Sequence, residues 1–242
     1  MTVLVAGASG ATGRLLVDIL LGHGRRVRAI VRSPARLPAS LREHPRLSIV
    51  HADLLDLDEE AMARHVEDCT AIVSCLGHNP TLRGLFGPPR RLVTEATSRL
   101  CEAVRRCRPE RPVRFVLMNT AGNRNRGIAE PVALGERLAV GLIRLLLPPH
   151  RDNEDAAAWL QAWFGPGDTA IEWVVVRPDS LTDADRVTAY DVHPSPIRSA
   201  IFDPGHTSRI NVAHFIGELL ADDLAWRRWA LRMPVVYDSG AK

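Results

Sequence analysis

The run Gly7-Ala8-Ser9-Gly10-Ala11-Thr12-Gly13 spaces three glycines three residues apart, directly after the apolar stretch 3–6 and ahead of the apolar-periodic stretch 15–21. A strand, a glycine-rich turn and a helix in that order suit one chemistry, the holding of a phosphate on bare backbone. The first glycine permits a tight turn, the second lets a phosphate approach the chain, and the third lets helix and strand pack closely. Amides at the helix start then face a pyrophosphate, so Gly7, Ser9, Gly10, Ala11, Thr12 and Gly13 are candidate contacts. About twenty positions past the turn, a second strand over 27–31 ends at Arg32-Ser33-Pro34-Ala35-Arg36. An acidic residue there would accept hydrogen bonds from an adenosine ribose and repel a 2′-phosphate. The guanidinium of Arg32 instead grips that phosphate in bidentate fashion, with Arg36 or Arg14 as second contact, so the expected cofactor is NADP(H) rather than NAD(H).

A second concentration of reactive groups is His150-Arg151-Asp152-Asn153-Glu154, at the start of a helix read over 152–163. One reading is capping: Asp152 or Asn153 satisfies free amides and Glu154 favours the positive helix end. The other makes His150 a proton donor and Asn153 a contact to the cofactor ribose, and the two can coexist.

The elements that must position these groups alternate. Strands are expected over 47–50, 71–75, 113–118, 172–176 and 235–237, and helices over 57–66, 90–106 and 152–163, with a last long helix opened by 208–213 and capped by Asn211. The face Leu92, Val93, Ala96, Leu100, Ala103 and Val104 has helical spacing and belongs in a core. Stretch 132–147 is the most apolar helix candidate, but Glu136, Arg137 and Arg144 interrupt it, which favours a buried or half-buried helix over a membrane segment. The expected architecture is an α/β fold, a doubly wound parallel-sheet Rossmann domain spanning 1–242 as one unit. A small substrate region of loops and helix comes from 79–89, 123–150 and 183–207.

With its Ala-Ser and Ala-Thr fillers, GASGATG resembles the short-chain dehydrogenase/reductase superfamily, most of all its atypical NmrA-like and flavin-reductase-like NAD(P)-binding branch. The resemblance covers nearly the whole chain. Ala52-Asp53-Leu54 resembles the family's acidic-Leu pair beside the adenine ring, which implies that Asp53 bonds the adenine amino group; a bare Asp-Leu could equally cap the helix over 57–66. In Leu76-Gly77-His78-Asn79 the resemblance places Gly77 along the cofactor and His78 near the nicotinamide, within reach of substrate. In Asn119-Thr120-Ala121-Gly122 it places Thr120 where a hydroxyl donates to the substrate carbonyl, against a threonine that caps the loop. Arg177-Pro178-Asp179 resembles an Arg-Pro segment whose backbone meets the nicotinamide carboxamide. The candidate catalytic residues are therefore Thr120, His78 and His150.

One family feature is missing. The Tyr and Lys that give and tune a proton align with Pro149 and Asn153, the lone lysine is Lys242, and Tyr190 and Tyr237 have Pro194 and Ala241 four positions on. The resemblance thus implies an NADPH-dependent reductase of a small conjugated acceptor such as a flavin, quinone or enone, in which hydride addition delocalises charge and water, Thr120 or a histidine delivers the proton. Its alternatives are a non-catalytic NADP(H)-sensing NmrA-like regulator and a redox-neutral cyclase or isomerase using the same pocket.

Composition narrows the rest. At 242 residues, 46% hydrophobic and 24% charged, the chain suits one domain with a full core, and no apolar run spans a bilayer. The first strand begins at residue 3 with no signal segment before it, so a cytoplasmic location is expected. The net charge of +3 is carried by scattered arginines, which argues against a nucleic-acid partner. Cys69, Cys75, Cys101 and Cys107 form two C-x5-C pairs that fit neither zinc nor a redox motif, so buried thiols and no metal are expected. The partners expected are a small-molecule substrate and, at most, a second copy of the chain: a monomer or homodimer.

Overall fold

Successive strand residues point to opposite faces, and where both faces are covered, at the middle of the sheet, a strand is mostly apolar rather than alternating. In the computed structural model, which describes residues 1–78, 81, 85–128, 130 and 147–240, β1 (Thr2–Ala6) shows the division plainly. Val3 and Val5 enter one core layer, while Leu4 and Ala6 enter the other.

Among the described residues the chain then forms α1 (Ala11–Gly22), β2 (Arg26–Val31), the short α2 (Ala39–Arg42), β3 (Leu47–His51), α3 (Glu59–Val66), β4 (Cys69–Ser74), α4 (Leu92–Cys107) and β5 (Val113–Met118). After these come α5 (Pro148–Trp163), β6 (Ile171–Pro178), β7 (Ser180–Thr182), β8 (Tyr190–His193), β9 (His206–Ser208), α6 (Arg209–Ala221), α7 (Asp223–Trp229) and β10 (Val235–Asp238). Eight strands join one sheet in the order β3-β2-β1-β4-β5-β6-β10-β8, parallel except where β8 runs antiparallel to β10. Helices α1, α6 and α7 bury Leu16, Leu20, Ile216 and Trp226 against one face; α3, α4 and α5 bury Met62, Leu100 and Leu160 against the other. This is the expected doubly wound fold. Its order reverses between β1 and β4, where the chain leaves β1 for β2 on one side and returns to β4 on the other, opening a crevice at the strands' carboxyl ends.

The departures from expectation have local causes. Helix α5 starts at Pro148 rather than at 152, because proline is tolerated in the first turn, where its missing N–H has no partner to lose. The stretch 183–207, read as loop, contains β8 and the start of β9, which pair with β10 and β7. Strands of four and three residues, at a sheet margin and in a two-stranded ladder, leave little periodicity to read. Helix α6 is capped by Ser208, whose hydroxyl accepts from Asn211 N at 3.4 Å, and not by Asn211. Asn211 is fully buried and ties two segments, bonding the Thr188 amide and hydroxyl (2.9 and 2.8 Å) and Asp238 Oδ1 (2.7 Å). The helix read over 132–147 lies outside the described residues except for Leu147. So do 79, 80 and 82–84 of the 79–89 loop, and 129 and 131–146 of the 123–150 segment.

Candidate functional site

The glycine turn is built as its spacing requires. Gly7 has φ +77°, and a Cβ there would stand 2.7 Å from the Cys75 carbonyl oxygen on the neighbouring strand end. A Cβ on Gly13 would meet Gly7 O at 2.2 Å, so α1 sits against the turn at a distance only glycine allows. The Gly10 amide closes the turn onto Gly7 O at 2.9 Å, and Gly10 forms the cap position of α1 without any side-chain cap or acidic residue in the first turn. The amides at the helix start thus stand at the crevice with no carboxylate of their own first turn competing for them, the arrangement a pyrophosphate needs. Among the described residues other than its chain neighbours, no atom lies within 4 Å of where a Cβ on Gly77, beyond β4, would be, which leaves room for a ligand to pass along the backbone.

Arg32 leaves the end of β2 with a side chain 62% exposed, 3.8 Å from Asp53 Oδ2. Asp53 also accepts from the Leu55 amide at 3.1 Å, so it caps the short 3-10 turn Leu54–Asp56; the following helix α3 is capped by Asp58, through Ala61 N at 2.7 Å. Leu54 buries its side chain in the core beneath. Arg36 closes the 3-10 turn Pro34–Arg36 and is exposed. These residues fit a dinucleotide: amides for the pyrophosphate, an exposed cation at the end of β2 for a 2′-phosphate, and a carboxylate next to it.

At the carboxyl end of β5 the chain turns through Thr120. Its hydroxyl accepts a long 3.4 Å bond from Gly122 N, while its amide donates to Asn119 Oδ1 at 2.9 Å. A Cβ on Gly122 would lie 3.4 Å from His150 Cε1 and 3.9 Å from Thr120 Oγ1, so the absence of a side chain at Gly122 brings Thr120 and His150 to one space. His150 is mostly buried, with Nε2 3.4 Å from Glu154 Oε1 one helical turn on. That separation is long for a hydrogen bond, and Nε2 finds no well-aligned bond partner among the described residues. Asn153 contributes its backbone oxygen, which accepts from Asn119 Nδ2 at 2.9 Å and Asn123 Nδ2 at 3.3 Å and ties α5 to the end of β5.

The capping reading of 150–154 is corrected in its target. Because α5 begins at Pro148, Asp152 lies inside its own helix and serves another: its carboxylate accepts from Val93 N (2.7 Å), Thr94 N (2.9 Å) and Thr94 Oγ1 (2.7 Å) at the start of α4. The cap position of α4 itself, Arg91, supplies no side-chain bond. His78 Nε2 joins the same carboxylate at 2.8 Å. His78, Thr120 and His150 are thus held around the amino end of α5, beside the carboxyl ends of β4 and β5.

Sequence reasoning missed the part played by Arg177. Its guanidinium is fully buried, donating from Nε to Met233 O (2.7 Å), from Nη1 to Asn123 O (2.8 Å) and from Nη2 to Glu130 Oε1 (2.7 Å). Glu130 in turn accepts from Asn125 N at 2.8 Å. The signal was present, since a charged residue inside the apolar run Ile171–Pro178 must be paired. Pro178 ends that strand, and its carbonyl accepts from Ala121 N at 2.8 Å, fixing the turn that carries Thr120. Asp179, whose carboxyl burial pushes up, accepts from Ser180 N at 2.8 Å and Gly205 N at 3.0 Å and holds the start of β9.

A protein-family model described as NAD(P)H-binding matches residues 7–223. An uncharacterized chloroplastic protein of Arabidopsis thaliana is 28% identical over 179 residues, 74% of this chain and 59% of that protein. A 3-diazoavenalumate denitrifying reductase of a Streptomyces species is 37% identical over 109 residues, 43% of this chain and 34% of that enzyme. The chain therefore spans between a third and three fifths of these curated relatives. Among solved structures, a short-chain dehydrogenase/reductase from Veillonella parvula in complex with NADP superposes with a TM-score of 0.71 at 14% identity, covering 99% of this chain and 95% of that one. No described helix is long and apolar enough to cross a membrane.

Proposed function

The chain belongs to the NAD(P)H-binding family, and from that premise we propose that it is an NADPH-dependent oxidoreductase reducing a small, conjugated organic acceptor. Gly7, Ser9, Gly10, Ala11, Thr12 and Gly13 hold the pyrophosphate, Arg32 and Arg36 the 2′-phosphate, and Asp53 with the Leu54 backbone the adenine. Gly77, Asn153 and the Pro178 backbone border the nicotinamide half. When bound, the cofactor supplies a hydride to an electrophilic carbon of the acceptor. The side chains do the rest: Thr120 orients the acceptor's polar atom with its hydroxyl, and His78 or His150 delivers the proton that follows. A conjugated acceptor suits this set because delocalised charge asks less of the proton donor than a simple ketone would, and no Tyr-Lys pair is present to supply more.

The observation that carries this reading is the meeting of Thr120 Oγ1 and His150 Cε1 within 4 Å of one point above Gly122, at the same sheet edge as the glycine turn. The Streptomyces relative, named a reductase, supports it. The test is a calorimetric titration with NADPH and with NADH, followed by loss of NADPH absorbance on adding quinones, flavins and enones. Micromolar preference for NADPH with turnover of one acceptor class is the expected result. A sensing role is favoured by the missing Tyr-Lys pair, and tight NADPH binding with no acceptor turned over would replace the reductase reading by it. Conversion of a substrate without net loss of NADPH would instead indicate a redox-neutral reaction.

A further inference from the structure

The amino end of α5 holds His150 and Asp152, while its carboxyl end borders a cavity of about 880 Å³ at Gln161, eleven residues on from His150 and about 16 Å away along the helix. That volume is in the range of small-molecule sites, and no residue assigned to the cofactor or the acceptor lines it. Ile128, Phe164, Trp173 and Leu231 make the lining apolar, and Ile128 is 47% exposed, so the cavity is open to solvent. Among the described residues the lining holds no Asp or Glu, and its two charged members are both cations, Arg126 and Arg232. Both are exposed, and among the described residues neither guanidinium makes a hydrogen bond or an ion pair. Their backbones are nevertheless fixed. Arg126 lies between Asn125, whose amide donates to Glu130 Oε2 at 2.8 Å, and Gly127, whose amide donates to Asn125 Oδ1 at 2.9 Å. Arg232 donates its amide to Trp229 O at 3.0 Å and accepts at its carbonyl from Val175 N at 3.1 Å. Gln161 Nε2 donates to the same Asn125 oxygen at 2.7 Å and ties α5 to the 125–128 wall.

We propose that this cavity is a second binding site, for an amphipathic organic carboxylate with an apolar body of about ten carbons, a size that a small-molecule site encloses. The apolar body lies against Ile128, Phe164, Trp173 and Leu231, and the carboxylate is matched by the positive charge of Arg126 and Arg232. Each half of the argument excludes a simpler ligand. An inorganic anion would meet the arginines and leave the apolar lining in water. A neutral hydrocarbon would cover the lining and leave two cations unmatched. A carboxylate with an apolar chain uses both, since burying the chain is favourable by the area it removes from water and the weakly hydrated, planar guanidinium fits a carboxylate in fork geometry. With no acidic residue among the described members of the lining, no nearby side chain repels the incoming charge or competes for the arginines. The site does not depend on the reductase reading, because it shares no residue with the cofactor and acceptor assignments.

The test is isothermal titration of the full-length protein at low ionic strength with decanoate and with decan-1-ol, on the wild type, the double variant Arg126→Gln/Arg232→Gln, and Ala162→Trp. Decanoate should saturate one site on the wild type with a dissociation constant of about 100 µM, and decanol should bind more weakly. The double variant should raise the decanoate constant about tenfold while decanol binding stays as it was. Its melting temperature should match the wild type, because neither arginine leaves a partner behind. Ala162 is exposed on α5 and borders the cavity, so the indole of Ala162→Trp should fill it and abolish decanoate binding. NADPH should titrate the decanoate-loaded protein as it does the free one; failure of NADPH to bind in either state counts against the cofactor reading alone. Wild-type protein with no saturable decanoate heat, equal decanoate affinity in the double variant, or displacement of decanoate by NADPH would overturn the proposal. So would a dimer that Ala162→Trp splits while the wild type binds no decanoate, since a second copy of the chain would then cover the cavity. Should Ala162→Trp fail to fold, the double variant still decides.

Discussion

Replacing Gly13 by Ala isolates the physical reason for the glycine turn. Its Cβ would stand 2.2 Å from Gly7 O, 2.9 Å from Gly7 C and 3.1 Å from Ala8 Cα, all backbone atoms that no rotamer change can move. Ordinary contact begins near 3.4 Å, so the turn and α1 must separate by more than an ångström along the line of closest approach. Two effects compete. Alanine is favoured over glycine inside a helix by about 1 kcal/mol. Overpacking a site that cannot relax costs about 1–3 kcal/mol, with rigid backbone neighbours at the upper end. The clash should win, leaving a net loss of about 2 kcal/mol in urea unfolding, seen as a lower midpoint at unchanged slope. The same displacement withdraws the α1 amides from the pyrophosphate, so the NADPH dissociation constant should rise at least about tenfold, or roughly 1.4 kcal/mol. Gly77→Ala is the control that separates folding from binding. Among the described residues beyond its chain neighbours nothing lies within 4 Å of its new methyl group, so stability should stay within about 0.5 kcal/mol. Cofactor affinity should still drop, because the methyl enters the space assigned to the ligand. A Gly13→Ala protein with both the wild-type midpoint and wild-type NADPH affinity would refute the reasoning.

The other perturbations follow the same site outward. Arg32→Glu places a second acid beside Asp53 and removes the charge-assisted phosphate bond, so calorimetry should show NADPH binding weakened by about 1.5–3 kcal/mol with NADH binding not reduced; equal NADPH affinity would remove Arg32 from the cofactor site. Thr120→Ala should lower turnover more than NADPH affinity, and an unchanged rate would take its hydroxyl out of the reaction. Arg177→Met strands the buried Glu130 carboxylate and should cost about 3–5 kcal/mol in unfolding free energy, part of which Glu130→Gln should restore; a loss under about 1 kcal/mol would mean that the pair is not sealed from water. Burial pushes the Cys69 and Cys75 thiols up to about 12, Cys101 well above the usual thiol range, and Cys107 upward less steeply. Since only the thiolate reacts, a thiol reagent at pH 8 should find Cys107 at most in the native protein and four thiols after denaturation.

What could be read from the sequence was what depends on neighbours in the chain. The strand Val113–Met118 was legible because a covered parallel strand is mostly apolar, broken here only by Arg114, and the turn 7–13 because its demands on Gly7 and Gly13 arise within one strand-turn-helix unit. Asp152 and Asn211 mark where that kind of reading ends. Each is a short polar residue near a helix start, where own-helix capping is the expected use, and each is committed elsewhere: Asp152 to α4 and His78, 58 to 74 residues away, and Asn211 to Thr188 and Asp238, 23 and 27 residues away. Nothing in the spacing of 150–154 distinguishes a carboxylate that caps its own helix from one that caps its neighbour, because both leave the same residue types at the same positions. The distinction comes from the packing of α4 against α5, which puts the open amides of Val93 and Thr94 within 3 Å of a side chain one turn into the other helix. Once that contact is made, the histidine after β4 acquires a fixed acceptor. A residue that resemblance alone placed near the nicotinamide is thereby tied, through Nε2, to the carboxylate that caps α4.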